Sequence, residues 1–318
     1  MYFPIADIDV NPLVPPLVAF VISLFTSMGG VSGAFLLLPF QVSVLGFTSP
    51  AVSSTNQLFN IVAIPSGVYR YIREGRMVWP LTWVVIIGTL PGVFVGAIVR
   101  IKYLPDPKDF KLFVGCVLLY IGGRLLKDLL CKKKEADRPS TEERFHQQLQ
   151  RQGQARGPNP SAPAEHLSRV TVQQWTPGRI VYDFCGERFS VNGVGLMALS
   201  LIVGMIGGVY GIGGGAIIAP LLVSFFGLPV YTVAGAALMG TFVTSVAGVL
   251  FYQILALYYP GMVIAPDWLL GFLFGIGGFG GMYCGARLQK FVPAQFIKWI
   301  LTLCLLFTAG KYIWPFLV

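Results

Sequence analysis

Twice along this chain a glycine-rich break ending in a proline interrupts a long apolar run, as GVSGAFLLLP from Gly30 to Pro39 and as GIGGGAIIAP from Gly211 to Pro220. The displacement of 181 positions that carries Pro39 onto Pro220 also carries Gly46 onto Gly227 and Gly67 onto Gly248. A chance glycine cluster does not keep register over that distance, so the chain is two copies of one helical unit. The runs around the breaks do not alternate as β-barrel strands do, and several approach the roughly 20 apolar residues that cross a bilayer. A mean hydropathy of +0.70 with only 12% charged residues, against about 25% in soluble domains, excludes a water-soluble core. The fold expected is an all-α membrane protein of two homologous helical halves, with about 8–10 membrane helices and broken first helices.

The net charge of +9 does not indicate nucleic acid, because Lys and Arg sit in short loops and in one polar linker, as they do at a cytoplasmic membrane face. The five cysteines show no CxxC or His-containing spacing, so neither a disulfide framework nor a metal site is indicated, and the three in apolar segments read as buried small residues. No cofactor is expected. MYFPIADIDVNP has no basic region before the first apolar run, which therefore reads as a retained helix and not a signal peptide.

The block from Leu13 to Leu45 reads as two helical pieces around the first break, followed by one helix from Pro50 to Tyr71 that ends in the basic loop of Arg70, Arg73 and Arg76. Trp79 and Trp83 mark an interface before a helix from Leu81 to Val99, whose Gly92 and Gly96 suit close helix packing, and Phe110 to Leu130 completes the first half. Residues 131–187 form a polar cytoplasmic linker, too poor in apolar residues to order itself over most of its length, although Arg179 to Val191 alternates around a Cys-Gly turn like a small hairpin. The domain plan is thus a first membrane repeat over 1–130, the linker, and a second repeat over 188–318. In the second repeat the helices are Val191 to Phe226 broken at Gly207 to Gly215, Val230 to Tyr258, Trp268 to Leu288 and Phe296 to Val318, with Gly281 and Gly285 repeating the first GxxxG.

Equivalent loops differ in charge, since Arg70, Arg73 and Arg76 have no Lys or Arg counterpart between Tyr259 and Asp267. That favours inverted repeats, each crossing an odd number of times. The loop from Arg100 to Lys111 would then be basic and external, which keeps a parallel arrangement of the halves open.

Two halves that each begin with a GxGGG-like segment, followed by apolar residues, a proline, a glycine turn and a polar-dotted helix, resemble the sulfite exporter TauE/SafE family. GIGGGAIIAPLLVSFFGLP is close to that pattern, whereas the first copy has Ser32 and Ala34 where the second has Gly213 and Gly215. The resemblance covers the whole chain outside the linker. It implies a multi-pass inner (plasma) membrane carrier of small sulfur-containing anions such as sulfite or sulfoacetate, with some relatives moving other organic anions. An anion channel, or a carrier for other small organic anions, is the alternative function.

A glycine-rich break at membrane depth frees backbone N–H groups, and a helix starting near Gly33 or Gly214 aims its positive dipole end at whatever the break lines. Gly30, Ser32 and Gly33 in one half, with Gly211, Gly213, Gly214 and Gly215 in the other, are therefore candidate anion-binding positions, joined by Ser27 and Tyr210. The competing reading is that the glycines only allow tight helix crossing. Asn56, Gln57 and Asn60 are costly on a lipid face, so they point inward, either to coordinate an anion or to hydrogen-bond between helices. Thr241 and Thr244 occupy the matching helix but can satisfy themselves on their own backbone. Arg124 and Lys311 are candidate entrance charges, with snorkelling to headgroups as the alternative. No Rossmann unit surrounds Gly211 to Gly215, and no nucleophile, carboxylate dyad or metal set lies in the spans, so an enzyme is not expected. The partners expected are a small anionic substrate and the lipid bilayer, not nucleic acid, and a homo-oligomer is compatible with the sequence.

Overall fold

The computed structural model describes residues 1–28, 31–131, 170–176, 178–184, 186–288 and 294–316. Gly30 and most of the linker lie outside the described residues. A two-stranded hairpin, β1 (Tyr2–Phe3) and β2 (Ile8–Asp9), precedes α1 (Val14–Met28) and α2 (Ala34–Ser43), the two pieces expected around the first break. The helix expected from Pro50 to Tyr71 is instead α3 (Ala51–Ala63) and α4 (Pro65–Arg73). Pro65 explains the correction: it has no N–H to continue the ladder, and its ring crowds the carbonyl four residues back. Then come α5 (Trp79–Lys102) and α6 (Pro107–Cys131).

The end of the linker folds as β3 (Thr171–Thr176), β4 (Arg179–Phe184) and β5 (Glu187–Asn192), an antiparallel sheet in strand order. The expected hairpin is β4–β5, turning through Gly186 at φ +78°, and β3 adds a third strand. The sheet docks on the helices where the Val170 N–H donates to the Gly75 carbonyl and where the Tyr182 and Thr232 hydroxyls meet at 2.9 Å. Burial pushes the Tyr182 hydroxyl up to about 12.

The second half follows as α7 (Gly193–Tyr210), α8 (Gly215–Phe226), α9 (Val230–Tyr258), α10 (Trp268–Leu288) and α11 (Ala294–Ile313). Asn192 caps α7 by accepting from the Val194 and Gly195 N–H groups, and Gly211 ends it in the left-handed region that only glycine adopts freely. The stretches Trp79–Lys102, Gly193–Tyr210, Thr232–Tyr258 and Trp268–Gly285 are long and apolar enough to cross a membrane. Exposed apolar side chains such as Ile87, Ile202, Phe272 and Phe307 cover the outside. Cys116 and Cys304 are on that outer surface and Cys284 is half-buried, which corrects the reading of all three as buried.

Each half lends a helix to the other. A Cβ on Gly92 of α5 would lie 2.4 Å from the Leu201 carbonyl, and one on Gly204 of α7 would lie 2.4 Å from the Thr89 carbonyl, so the backbones of α5 and α7 touch. Gly281 and Gly285 of α10 meet the Phe20 and Leu24 carbonyls of α1 in the same way. These are the two GxxxG faces, each packed across the repeat boundary. Contact order gives helix direction. Gly88, Gly92 and Gly96 meet successively later residues of α7, and Gly277, Gly281 and Gly285 meet successively later residues of α1, so both pairs run parallel. α10 also runs parallel to α3–α4, through Gly271 on Leu58 and Gly275 on Val62, while α5 runs parallel to α9, through Val85 on Gly240 and Phe94 on Phe251. In contrast, α3–α4 and α9 are antiparallel: Gln57 lies at Gly248, Asn60 at Ser245 and Gly67 at Leu238.

Candidate functional site

The two breaks meet on α3, which is buried at every position from Ala51 to Asn60. A helix leaves its last carbonyls without partners, and at α7 these cannot turn to water. α3 supplies the donors. Ser53 Oγ donates to the Val209 carbonyl at 3.1 Å, Asn56 Nδ2 to Gly211 at 3.1 Å and Asn60 Nδ2 to Ile212 at 3.0 Å. The Tyr252 hydroxyl of α9 donates to Gly208 at 3.0 Å.

The first break is tied to the same helix. Asn56 Nδ2 also reaches the Ala34 carbonyl at 3.0 Å, Gln41 Nε2 donates to Asn56 Oδ1 at 3.3 Å, and Ser32 Oγ donates to Asn60 Oδ1 at 2.6 Å. Pro39, inside α2, has no N–H to offer the Phe35 carbonyl four residues back, and Tyr210 takes that acceptor with its hydroxyl at 2.7 Å. Tyr210 is thus a clasp between the two breaks.

These bonds sort the candidates. Asn56 and Asn60 spend both amide atoms on the protein itself. Gln57, between them and with no exposed surface, has neither Nε2 nor Oε1 hydrogen-bonded, and it faces α9 at Gly248. Burying an unpaired amide costs about 1–3 kcal/mol, and among the three α3 amides Gln57 alone leaves both its amide atoms unspent. Gln41 Oε1 and Ser23 Oγ are also buried without partners.

At the second break, a Cβ on Gly211 would lie 2.3 Å from the Ser53 carbonyl, one on Gly213 2.9 Å from Ser245 Oγ, one on Gly214 2.5 Å from Thr89 and one on Gly215 1.9 Å from the Ala237 carbonyl. Gly33 is less confined, its nearest neighbour being Ser23 Oγ at 2.9 Å. Close packing therefore accounts for every glycine of the second break, against backbone at Gly211 and Gly215 and against side chains at Gly213 and Gly214. The helix-start amides are partly used as well, with Ala34 N–H donating to Ser32 Oγ and Gly214 N–H to Thr244 Oγ1. Thr241 and Thr244 donate to their own helix at Ala237 and Gly240, the self-satisfied alternative.

Ser27 is not brought to this junction. It donates to the Leu24 carbonyl and lies against Gly285 of α10. Arg124 stacks over the Phe225 ring at 4.7 Å, and Lys311 is exposed, so neither joins the buried cluster.

The sequence reading missed two charged residues. Arg100, assigned there to a loop, belongs to α5 and has no exposed surface. Asp267 is 3% exposed, accepts from the Leu270 N–H at the start of α10 and offers its own N–H to Thr55 Oγ1, leaving Oδ2 unpaired. An Asp directly before an apolar run is a helix-capping signal that would have found it. Nothing in the local pattern separates Arg100 from the snorkelling cations common at span ends.

The profile of the family described as sulfite exporter TauE/SafE matches residues 16–312. The chain belongs to the TauE/SafE sulfite exporter family. That match spans both breaks, the α3 junction and nearly all of both halves, and it makes the protein a membrane protein of an anion-exporter family. No significant match was found among curated proteins or among solved structures.

Proposed function

We propose that this family member is a multi-pass inner-membrane secondary carrier that exports a small sulfur oxyanion, sulfite or an organosulfonate such as sulfoacetate, by alternating access. The observation that carries the reading is Gln57, a fully buried amide with no partner on α3, between the two asparagines that tie down both helix breaks and facing Gly248 of α9. An oxyanion accepting from Gln57 Nε2 would satisfy that donor, and no carboxylate hydrogen-bonds there to repel it. The glycines and Asn56, Asn60 and Tyr210 then serve as the frame that holds the junction closed.

Helix direction supports inverted repeats. Repeat-equivalent α1 and α7 run opposite ways, since α1 follows α10 and α3–α4, α7 follows α5 and α9, and these two sets are antiparallel where α3–α4 meets α9. Breaks carried by helices of opposite direction are the arrangement through which transporters expose one site to either side in turn. The objection from a basic external loop also weakens, because Arg100 is buried in α5 and is not a loop cation. The side carrying Arg70, Arg73 and Arg76, together with the linker, is then cytoplasmic. Tight packing of glycine against backbone at the second break favours a carrier over a continuously open channel.

The test is flux in reconstituted vesicles with labelled sulfite, sulfoacetate, sulfate and a carboxylate. Saturable movement of at least one sulfur anion is expected. Flux of none of them would overturn the substrate assignment, and unitary conductance would replace the carrier with a channel.

A further inference from the structure

Arg100 is the largest side chain without exposed surface among the described residues. A cation in such a place needs partners for its charge and for its N–H groups. Its Nη1 donates to the Leu104 carbonyl, beyond the end of α5, and its guanidinium lies 3.8 Å over the Phe110 ring. Those two contacts fix the plane of the group. They leave Nε and Nη2 with no hydrogen-bond partner. Nε–H and Nη2–H are the parallel donors along one edge of a guanidinium, the edge that grips an oxyanion with two hydrogen bonds at once.

The other end of the repeat shows what is missing. Tyr252, close enough to interact electrostatically with Arg100, is displaced by 181 positions from Tyr71, over whose ring Arg76 lies at 4.8 Å. Arg76 is also buried, but Glu74 pairs with it and with Arg70. A carboxylate of the protein neutralises the arginine there. No carboxylate bonds Arg100 among the described residues.

A stripe of small and polar residues on α9 connects Arg100 to the α3 junction. Thr241 lies at Gly215, Ser245 at Asn60, Gly248 at Gln57 and Tyr252 beside Arg100. Their spacing of four, three and four residues keeps one helix face over about 16 Å of axis.

We propose that the Nε/Nη2 edge of Arg100 is a second binding station for a small oxyanion, one that receives the transported anion between the Gln57 junction and the membrane face at the α5–α6 turn. The station rests on the anion-carrier reading above, and its test separates the two. In vesicles, Arg100→Lys keeps the charge but loses the paired donors, and it should raise the half-saturation concentration for sulfite by about tenfold or more. In detergent, sulfite or sulfate should raise the melting temperature of the wild-type protein and not that of Arg100→Lys. Wild-type flux with unchanged saturation in the variant overturns the station and leaves the carrier standing. No flux, but oxyanion stabilisation lost in the variant, upholds the station and overturns the carrier. Neither flux nor stabilisation overturns both. If the variant does not fold, selenite soaked into wild-type crystals decides: an anomalous peak within hydrogen-bond distance of Nε and Nη2 supports the station, and its absence there overturns it.

Discussion

Helix α3 and its repeat counterpart, the first half of α9, show how a duplicated scaffold divides its labour. Where α3 carries Asn56, Gln57 and Asn60, the positions displaced by 181 in α9 are Ala237, Leu238 and Thr241. The packing is shared: Gly248 receives Gln57 just as Gly67 receives Leu238. The polarity is not. α3 donates side-chain hydrogen bonds to both breaks, whereas the matching first half of α9 gives the second break a close backbone approach and one hydroxyl acceptor for the Gly214 N–H. The α9 donor to that break, Tyr252, lies beyond the matching stretch. Duplication preserved the geometry of helix crossing, and one copy then took over the wiring.

The sharpest way to break this comparison is to exchange residues between the breaks. Ala34 and Gly215 are repeat mates, yet Ala34 is buried without conflict while a methyl at Gly215 would meet the Ala237 carbonyl at 1.9 Å. Gly215→Ala should therefore cost about 3 kcal/mol or more, and Ala34→Gly only about 1 kcal/mol. Thermal unfolding of the detergent-solubilised protein measures both, and equal losses would mean that the breaks are packed alike. By the same logic Gly214→Leu destabilises the fold through Thr89, so it is a poor probe of substrate binding.

Next in size is the wiring itself. Asn60→Leu leaves the Ile212 carbonyl and the Ser32 and Ser245 hydroxyls short of a partner, a loss of about 2–3 kcal/mol. Its repeat mate changed as Thr241→Val loses a bond within its own helix and should stay within about 1 kcal/mol. Comparable losses for the two would show that α9 is wired as heavily as α3.

Gln57→Leu, which installs the residue that α9 has at the matching position, separates folding from function. Removing an amide with no protein partner should leave the melting temperature unchanged or raise it, because the buried desolvation cost disappears. Anion flux should fall by about tenfold or more, the scale of one lost hydrogen bond to a charged ligand. A variant that unfolds but transports normally when rescued by low temperature would reassign Gln57 to the frame.

Much of this architecture is legible in the sequence, because glycine, proline and turn chemistry act locally. The common shift located both breaks, and the GxxxG faces named the two backbone contacts, although their crossing from one half to the other depends on which helices meet in space. Polar residues on a membrane helix announced α3 as inward-facing. Which of the three amides is spent is a matter of partners: Asn56 and Asn60 find carbonyls that the breaks release, and Gln57, one position away on another face, finds glycine. Arg100 was hidden for the same reason. Phe110, whose ring covers its guanidinium, comes after the turn, and Tyr252, which packs with the Arg100 neighbours Ala97 and Ile101, comes from the other half.

The smallest effect sharpens the contrast between the two buried arginines. Burial alone pushes the Glu74 carboxyl up, but Arg76 and Arg70 beside it outweigh that and hold it below its ordinary value. A carboxyl held low stabilises the folded state above its unfolded value of about 4.3, and that advantage is lost as pH falls through the lower folded value. The melting temperature of the wild-type protein should exceed that of Glu74→Gln at neutral pH, and the gap should close on acidification to about pH 3. Because Glu74 is partly solvent-exposed, the whole effect should stay below about 1 kcal/mol. Arg100 has no such carboxylate among the described residues, so added sulfate, which keeps its charge over this range, should raise the melting temperature of Glu74→Gln by as much as that of the wild-type protein. A pH-dependent gap that survives in Glu74→Gln would place the titrating group elsewhere and remove the contrast.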